Sequence, residues 1–332
     1  RQDLYRCTLE ADDELDRQMI DVDRVRDLRT LGFVTPGELV DEGEPCREIF
    51  GAARWDEFKR DIEFFYEITP RRMWARILID KGYNGTPAWT RYAGALATWA
   101  GPDEARLTLV CLLDEVLIVL MLLGVLWAFG PRTFLVATIF VGVNFATRFQ
   151  HVGGSLLRLD WLATLVLSLC ALKKERYALS GLLLAHATAA RVFPALFAAG
   201  LVARAALDLI KDRRVDRRYL RFAAGVLAGL ALFGLLGATG PRGATAWSEF
   251  ADNIAAHSGA PAGKRIGLKY VIQPLGRLVV HEDDTESRNR ALRERWERRR
   301  PLALALAAAA LLLFVVAVRR LDDAHAFALG VI

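Results

Sequence analysis

The run LTLVCLLDEVLIVLMLLGVLWAF over residues 107–129 limits what this chain can become, because it stays apolar for more than 20 positions with only Asp114 and Glu115 inside it. At 1.5 Å of rise per residue such a run covers a hydrocarbon core of about 30 Å, so it is read as a first membrane-spanning helix. Further apolar runs follow at 133–149 and at 155–172, the latter stopped by Lys173, Lys174, Glu175 and Arg176. Residues 177–210 are too long for one span of ordinary tilt and are broken midway by Arg191 and Pro194, which makes them a hairpin of two spans. Residues 222–237 and 302–318 supply the remaining spans, the last ending at Arg319 and Arg320.

Orientation follows from the positive-inside rule. The short loops carrying Lys173, Lys174 and Arg176, and Lys211, Arg213, Arg214, Arg217 and Arg218, belong in the cytoplasm. Alternation then puts residues 1–105, 149–154, 191–194 and 240–301 outside. The arginines at 288, 290, 293, 295, 298, 299 and 300 fall on the outer side against the rule. Two readings accommodate them: a short extra crossing near 266–280, or an outer helix that grips something anionic. The expected organisation is an acidic outer helical region over 1–105, a helix bundle over 106–239, an outer loop over 240–301 and C-terminal spans over 302–332. The chain begins without Met and ends in the apolar stretch 326–332, so it is expected to be a piece of a longer protein.

Charge separates these parts. Residues 1–105 hold 15 Lys and Arg against 22 Asp and Glu, while the rest holds 29 against 17. A basic hydrophobic remainder is what cations flanking spans produce, so the net +5 is no argument for nucleic acid. A content of 53% hydrophobic residues with 11 aperiodic prolines excludes disorder and collagen. In the acidic region Leu15, Met19, Val22, Val25 and Leu28 recur at helical spacing. Phe58, Ile62, Phe65 and Tyr66, then Met73, Trp74, Ile77 and Leu78, suit short amphipathic helices, with Pro70 at a helix start. The YNGTP stretch at 83–87 is turn chemistry before an aromatic helix over 89–99. Cys7 and Cys46 lie outside and are available to each other in an oxidising compartment, whereas Cys111 and Cys170 fall in spans. Asn84-Gly85-Thr86 fits a glycosylation sequon, but Pro87 follows it and nothing else points to a eukaryotic secretory route.

Polar groups at membrane depth need a reason. Arg148, Gln150, His151, Arg158 and Asp160 flank one outer loop, and Arg191 tops the hairpin on the same side. Arg148, Arg158 and Arg191 would make a cationic pocket for a lipid phosphate, since guanidinium forks match phosphate oxygens. The structural alternative is that Asp160 pairs with Arg158 or Arg191, and that Asp114 and Glu115 likewise pair with arginines. The segment WSEFADNIAAHSGAPAGKRIGLK at 247–269 carries a helical stripe of Trp247, Phe250 and Ile254, with Asn253 and His257 beside it. Five His and four Cys form no metal-ligand spacing, and no nucleotide-binding glycine motif occurs, so neither metal nor cofactor is expected.

The run LKKERYALSGLLLAHATAARVFPALFAAGLVARA resembles a segment of polytopic GT-C glycosyltransferases, particularly bacterial polyprenol-phosphate-mannose-dependent ones. The outer loop is similar to theirs at Phe250, Asn253, His257, Gly267 and Leu268. The resemblance implies an all-α polytopic membrane enzyme with an outer-face helical domain, in a bacterial inner membrane with its site facing out. It implies a polyprenol-phosphate sugar donor, a glycan or glycolipid acceptor, and Asn253, His257 and Lys269 as substrate-binding residues. It also implies an acidic catalytic base in an outer loop, for which Asp12 and Asp13 rank ahead of Asp160. An inverting transfer needs one carboxylate to take the acceptor proton while cations stabilise the departing phosphate. The competing reading is a transporter or non-catalytic membrane protein whose charged groups line a path, but the 191–194 break has no counterpart that would mark an inverted repeat.

The topology has a direct consequence. A cysteine introduced at Gly153 or Gly259 is expected to react with an impermeant thiol reagent in intact cells, and labelling seen only after membrane disruption would overturn the orientation.

Overall fold

The computed structural model describes residues 3–17, 20–41, 43–144, 155–259, 272 and 285–330, with the side chains of 256–259, 285–290, 292 and 293 outside that description. The fold is all-α. In the N-terminal region the helices are Leu4–Glu14 (α1), Pro36–Asp41 (α2), Cys46–Phe50 (α3), Ala52–Ile68 (α4), Arg71–Leu78 (α5) and Pro87–Ala100 (α6). Then come Glu104–Cys111 (α7), Leu113–Phe129 (α8), Pro131–Val143 (α9), Asp160–Lys173 (α10), Tyr177–Ala190 (α11), Ala198–Asp212 (α12) and Arg217–Ala238 (α13). Thr245–Gly259 (α14), Thr285–Val318 (α15) and Asp323–Leu329 (α16) complete the order. The strands among the described residues are Val25–Arg26 (β1) and Phe33–Val34 (β2), an antiparallel pair with Val25 opposite Val34.

Among the described residues four helical stretches are long and apolar enough to cross a membrane: Glu104–Phe129, Phe193–Asp212, Arg217–Ala238 and Glu294–Val318. Little of each is buried inside the protein, and Val119, Leu227, Leu235, Leu311, Leu312 and Leu313 stand exposed. Such side chains lose nothing against lipid tails, so this is the architecture of a membrane protein. The 155–172 run differs from expectation. Residues 155–159 are not helical, and α10 begins only at Asp160, leaving 14 residues, about 21 Å of helix against a core of about 30 Å.

The chain divides into two compact units, one of Arg1–Leu120, Val136–Asp160 and Phe233–Ser258, the other of Met121–Leu135, Trp161–Leu232 and Gly259–Ile332. In the first unit the short acidic helices pack around two small cores. Cys7, Ala11, Cys46, Trp55, Ile62, Tyr66 and Trp74 form one, and Tyr5, Leu9, Val25, Leu28, Leu39 and Leu78 the other. The described residues of the stripe from Leu15 to Leu28 are not helical, Met19 lying outside them, although Val25 and Leu28 are buried as its apolar character requires. The chain leaves α1 at Leu15, with Asp16 at φ +49°, and the backbone N–H of Ile20 turns back to Asp12. Further on, Asp27 closes its own turn by accepting from the N–H groups of Arg29 and Thr30 and from the Thr30 hydroxyl. Local side-chain acceptors of this kind compete with helix.

In the second unit a core of Leu165, Leu172, Leu184, Ala187, Leu201, Tyr219, Phe222, Ala324 and Phe327 holds α10 to α13 around the small helix α16. Residues 177–210 break where expected, with α11 ending at Arg191 in extended backbone and a 3₁₀ turn, Phe193–Phe197, leading into α12. But α11 has only 14 residues, so of the two spans expected here only Phe193–Asp212 is long enough to cross a membrane. Asp323 ties the unit at one end. It accepts from the Tyr177 hydroxyl at 2.6 Å and pairs with Arg218 at 3.3 Å and Arg204 at 3.5 Å. Tyr177 follows the basic loop 173–176 and Arg218 closes the basic stretch 211–218, so both loops open at the same end of this unit, as the orientation argument requires.

Cys7 and Cys46 form a disulfide, with Cα atoms 5.5 Å apart. It closes a loop of 39 residues and links α1 to α3 inside the first core, where each sulfur is fully buried. Replacing both cysteines by serine should remove about 4 kcal/mol of stability from this region, the loop-entropy value for that length. Hydrogen exchange of the purified full chain should show faster exchange over residues 4–66 and unchanged exchange over α11 and α12; unchanged exchange in both would show that the region does not depend on the bridge.

Candidate functional site

A cavity of about 390 Å³ lies in the first unit where α13 ends. One wall is the turn at 83–86 and the first turns of α6, with Tyr83, Asn84, Thr90 and Arg91. The other is the 240–243 turn and α14, with Arg242, Glu249, Phe250, Asn253 and Ile254. Thr86 caps α6 by accepting from the Trp89 N–H, and the Tyr83 hydroxyl meets the Thr90 hydroxyl at 2.6 Å, which fixes the turn on the helix. Arg91 donates through Nε to the Thr239 hydroxyl, and the Trp247 indole N–H donates to the Gly234 carbonyl, which together join both walls to the end of α13. Gly237 is where they meet. A Cβ there would lie 2.8 Å from the Trp247 ring and 3.0 Å from both the Ala88 nitrogen and Pro87 Cβ, so only glycine permits this approach.

Within the second wall Arg242 forms a 2.6 Å ion pair with Glu249, whose side chain keeps 44% of its exposure. The cavity therefore offers two guanidinium groups, two carboxamides, one carboxylate and two aromatic rings at the end of a spanning helix. That set suits a molecule with an anionic part and several hydroxyls, since guanidinium binds phosphate oxygens and amides bind hydroxyls.

The residues proposed from sequence fall in several places. Asn253 lines this cavity with Phe250. His257 is in α14, but its side chain is outside the described residues, as is Lys269 entirely. Arg148, Gln150 and His151 are also outside them. Arg158, exposed, belongs to the first unit and half-buried Arg191 to the second.

Asp160 is 3% exposed and accepts from the Tyr92 hydroxyl at 2.6 Å. Asp12 is 6% exposed and accepts from the Ile20 N–H, while Asp13 on the same helix is exposed. Burial, and the neighbouring Asp12 carboxylate, push the pKa of the Tyr66 hydroxyl well above the ordinary tyrosine range. Asp12 and Asp13 line a second, acidic hollow with Glu10, Asp16 and Asp41.

Asp114 has a different partner from the one expected. No guanidinium pairs with it among the described residues; its two oxygens accept from the backbone N–H groups of Arg158 at 2.6 Å and Leu159 at 2.9 Å. It is fully buried, and it serves amides at the start of α10 that have no partner within that helix. The charge in the first span is thus a cap.

Tyr83, Asn84, Arg91, Arg242 and Glu249 were not singled out by sequence as site residues. The one signal was the YNGTP turn, whose residues read as backbone chemistry alone. Comparison of the chain with family models, with curated proteins and with solved structures returned no match.

Replacing Asp114 by Ala should orphan two amides at a cost of about 1–3 kcal/mol each, whereas Asn, which keeps one acceptor oxygen, should cost about half as much. Thermal melting of the detergent-solubilised chain measures the order; equal melting of all three proteins would deny the cap its role.

Proposed function

We propose that the chain is a membrane glycosyltransferase of the GT-C kind, transferring a sugar from a polyprenol-phosphate donor to a hydroxyl acceptor at the outer face of the membrane. The observation that carries this reading is the cavity at the end of α13, which joins Phe250 and Asn253 of the GT-C-like loop to Arg91, Arg242 and Glu249. A lipid-borne phosphate sits at the depth where a spanning helix ends, which is where two guanidinium groups await it. Asn84 and Asn253 are suited to bind sugar hydroxyls, and Tyr83 and Phe250 to cover an apolar sugar face.

Glu249 is the carboxylate of this cavity and is the base assigned here. Its ion pair with Arg242 holds it in the cavity, and donor phosphate entering beside Arg242 would free it to take the acceptor proton. Asp12 and Asp160 are both buried and hydrogen-bonded, so exposed Asp13 is the second choice. The disulfide in the acidic region supports an oxidising, extracytoplasmic face. The transporter reading loses ground because Asp114, its strongest intramembrane charge, is engaged with backbone amides.

The test is transfer of label from radioactive polyprenol-phosphate sugars to lipid or polymer by the full chain in membranes. Glu249→Gln should lower turnover by about two to four powers of ten while sparing donor binding. Arg91→Ala and Arg242→Ala should raise the donor KM. Loss of turnover in Asp13→Asn but not in Glu249→Gln would move the base to the N-terminal hollow, and absence of transfer by the unaltered protein with every donor would defeat the enzyme reading.

A further inference from the structure

We infer that the arginine-rich half of α15, through Arg295, Arg298, Arg299 and Arg300, is a binding site for anionic phospholipid headgroups. The argument is one of depth. Helix α15 is continuous over 34 residues, and its second half, 302–318, is uncharged and belongs to a stretch apolar enough to cross the membrane. The first half, 285–300, carries seven Arg against three Glu.

At 1.5 Å of rise per residue Arg300 stands about 3 Å, and Arg295 about 10 Å, beyond the first apolar residue. The polar layer of a bilayer is about 5–8 Å deep on each side of the hydrocarbon. Arg298, Arg299 and Arg300 therefore fall within the layer that holds lipid phosphates, and Arg295 stands at its outer edge, within reach of it through its long side chain.

Local contacts leave Arg298 and Arg300 fit for that ligand. Arg298 and Arg300 are exposed, and Arg295 and Arg299 are half-buried. The ion pair of Arg300 with Glu297 spans 3.6 Å with both side chains more than 60% exposed, so it contributes little and yields readily to a phosphate. Arg299 donates from one terminal nitrogen to the Ile272 carbonyl at 2.8 Å, which anchors its head in place. Trp296, between these arginines on the helix, is the aromatic type enriched at membrane–water boundaries. Pro301 removes the N–H that would bond the Glu297 carbonyl, so the basic half is not held to the direction of the span by that hydrogen bond. This site is independent of the cavity at the end of α13 and of the transfer reaction.

The experiment uses the full chain in phosphatidylcholine vesicles containing trace spin-labelled phosphatidylglycerol or spin-labelled phosphatidylcholine. Electron spin resonance reads the fraction of each label held by the protein. The expected result is a preference for phosphatidylglycerol of roughly five-fold, the scale of one surface cation at a membrane, falling as salt is raised.

Changing Arg295, Arg298, Arg299 and Arg300 together to Gln should abolish the preference, and Arg319→Gln with Arg320→Gln at the far end of the helix should leave most of it. If the fourfold variant does not insert, Arg298→Gln with Arg300→Gln should reduce the preference by about half. Equal retention of the two labels by the unaltered chain would overturn the proposal. So would a preference that survives the arginine changes, and in either case binding of heparin lost with the same arginines would reassign the segment to a soluble polyanion.

Discussion

Inside hydrocarbon a backbone amide has no water to bond, so every helix end placed there needs a protein partner. Asp114 is that partner for α10. It reaches across 44 and 45 residues to the N–H groups of Arg158 and Leu159, and so satisfies amides of the irregular stretch 155–159 that no helix partner serves. An acid in a span usually points to transport or catalysis. Here it caps the start of a 14-residue helix by accepting from backbone amides.

The second unit solves its polar problem with one residue as well. Asp323, buried at 7% exposure, collects the Tyr177 and Tyr219 hydroxyls and the Arg204 and Arg218 guanidinium groups, while Lys173 reaches neighbouring Asp322. Breaking a buried network of this kind by removing its acceptor strands several partners at once. Glycine provides the fit beside it, since a Cβ on Gly200 would overlap the Ala326 carbonyl of α16. The basic loops that orient a membrane protein are thus also the loops that close this unit.

In the first unit, the cavity at the end of α13 draws on segments nearly 150 residues apart, with Arg91 bonded to Thr239. Its chemistry is a mixture of cations, carboxamides and rings around one ion-paired carboxylate, which is suited to an amphiphile whose polar part is both charged and hydroxylated. The N-terminal hollow carries charge of one sign, from Glu10, Asp12, Asp13, Asp16 and Asp41, and attracts cations or hydroxyl donors instead. The two hollows differ in sign because one is lined by an acidic helix and the other by the flanks of a span, where arginines gather.

The sequence by itself determined the helical class, the positions of the spans 107–129, 222–237 and 302–318, the break at Arg191 and the short helices over 52–78, because each depends on local period, length or a proline. It also offered Cys7 and Cys46 as a pair without deciding it, since bonding requires α1 and α3 to be brought together. The stripe from Leu15 to Leu28 misled because its spacing suits a helix while Asp12 and Asp27 supply competing acceptors, and the 155–172 run misled because hydropathy does not register where a helix starts. Only the tertiary structure decided that Asp114 meets amides rather than an arginine, and that Asn253 shares a cavity with Arg91, Arg242 and Glu249. Hydropathy records the solvent a residue prefers; which polar groups face one another across 40 to 150 positions is fixed by packing, and no local pattern carries that information.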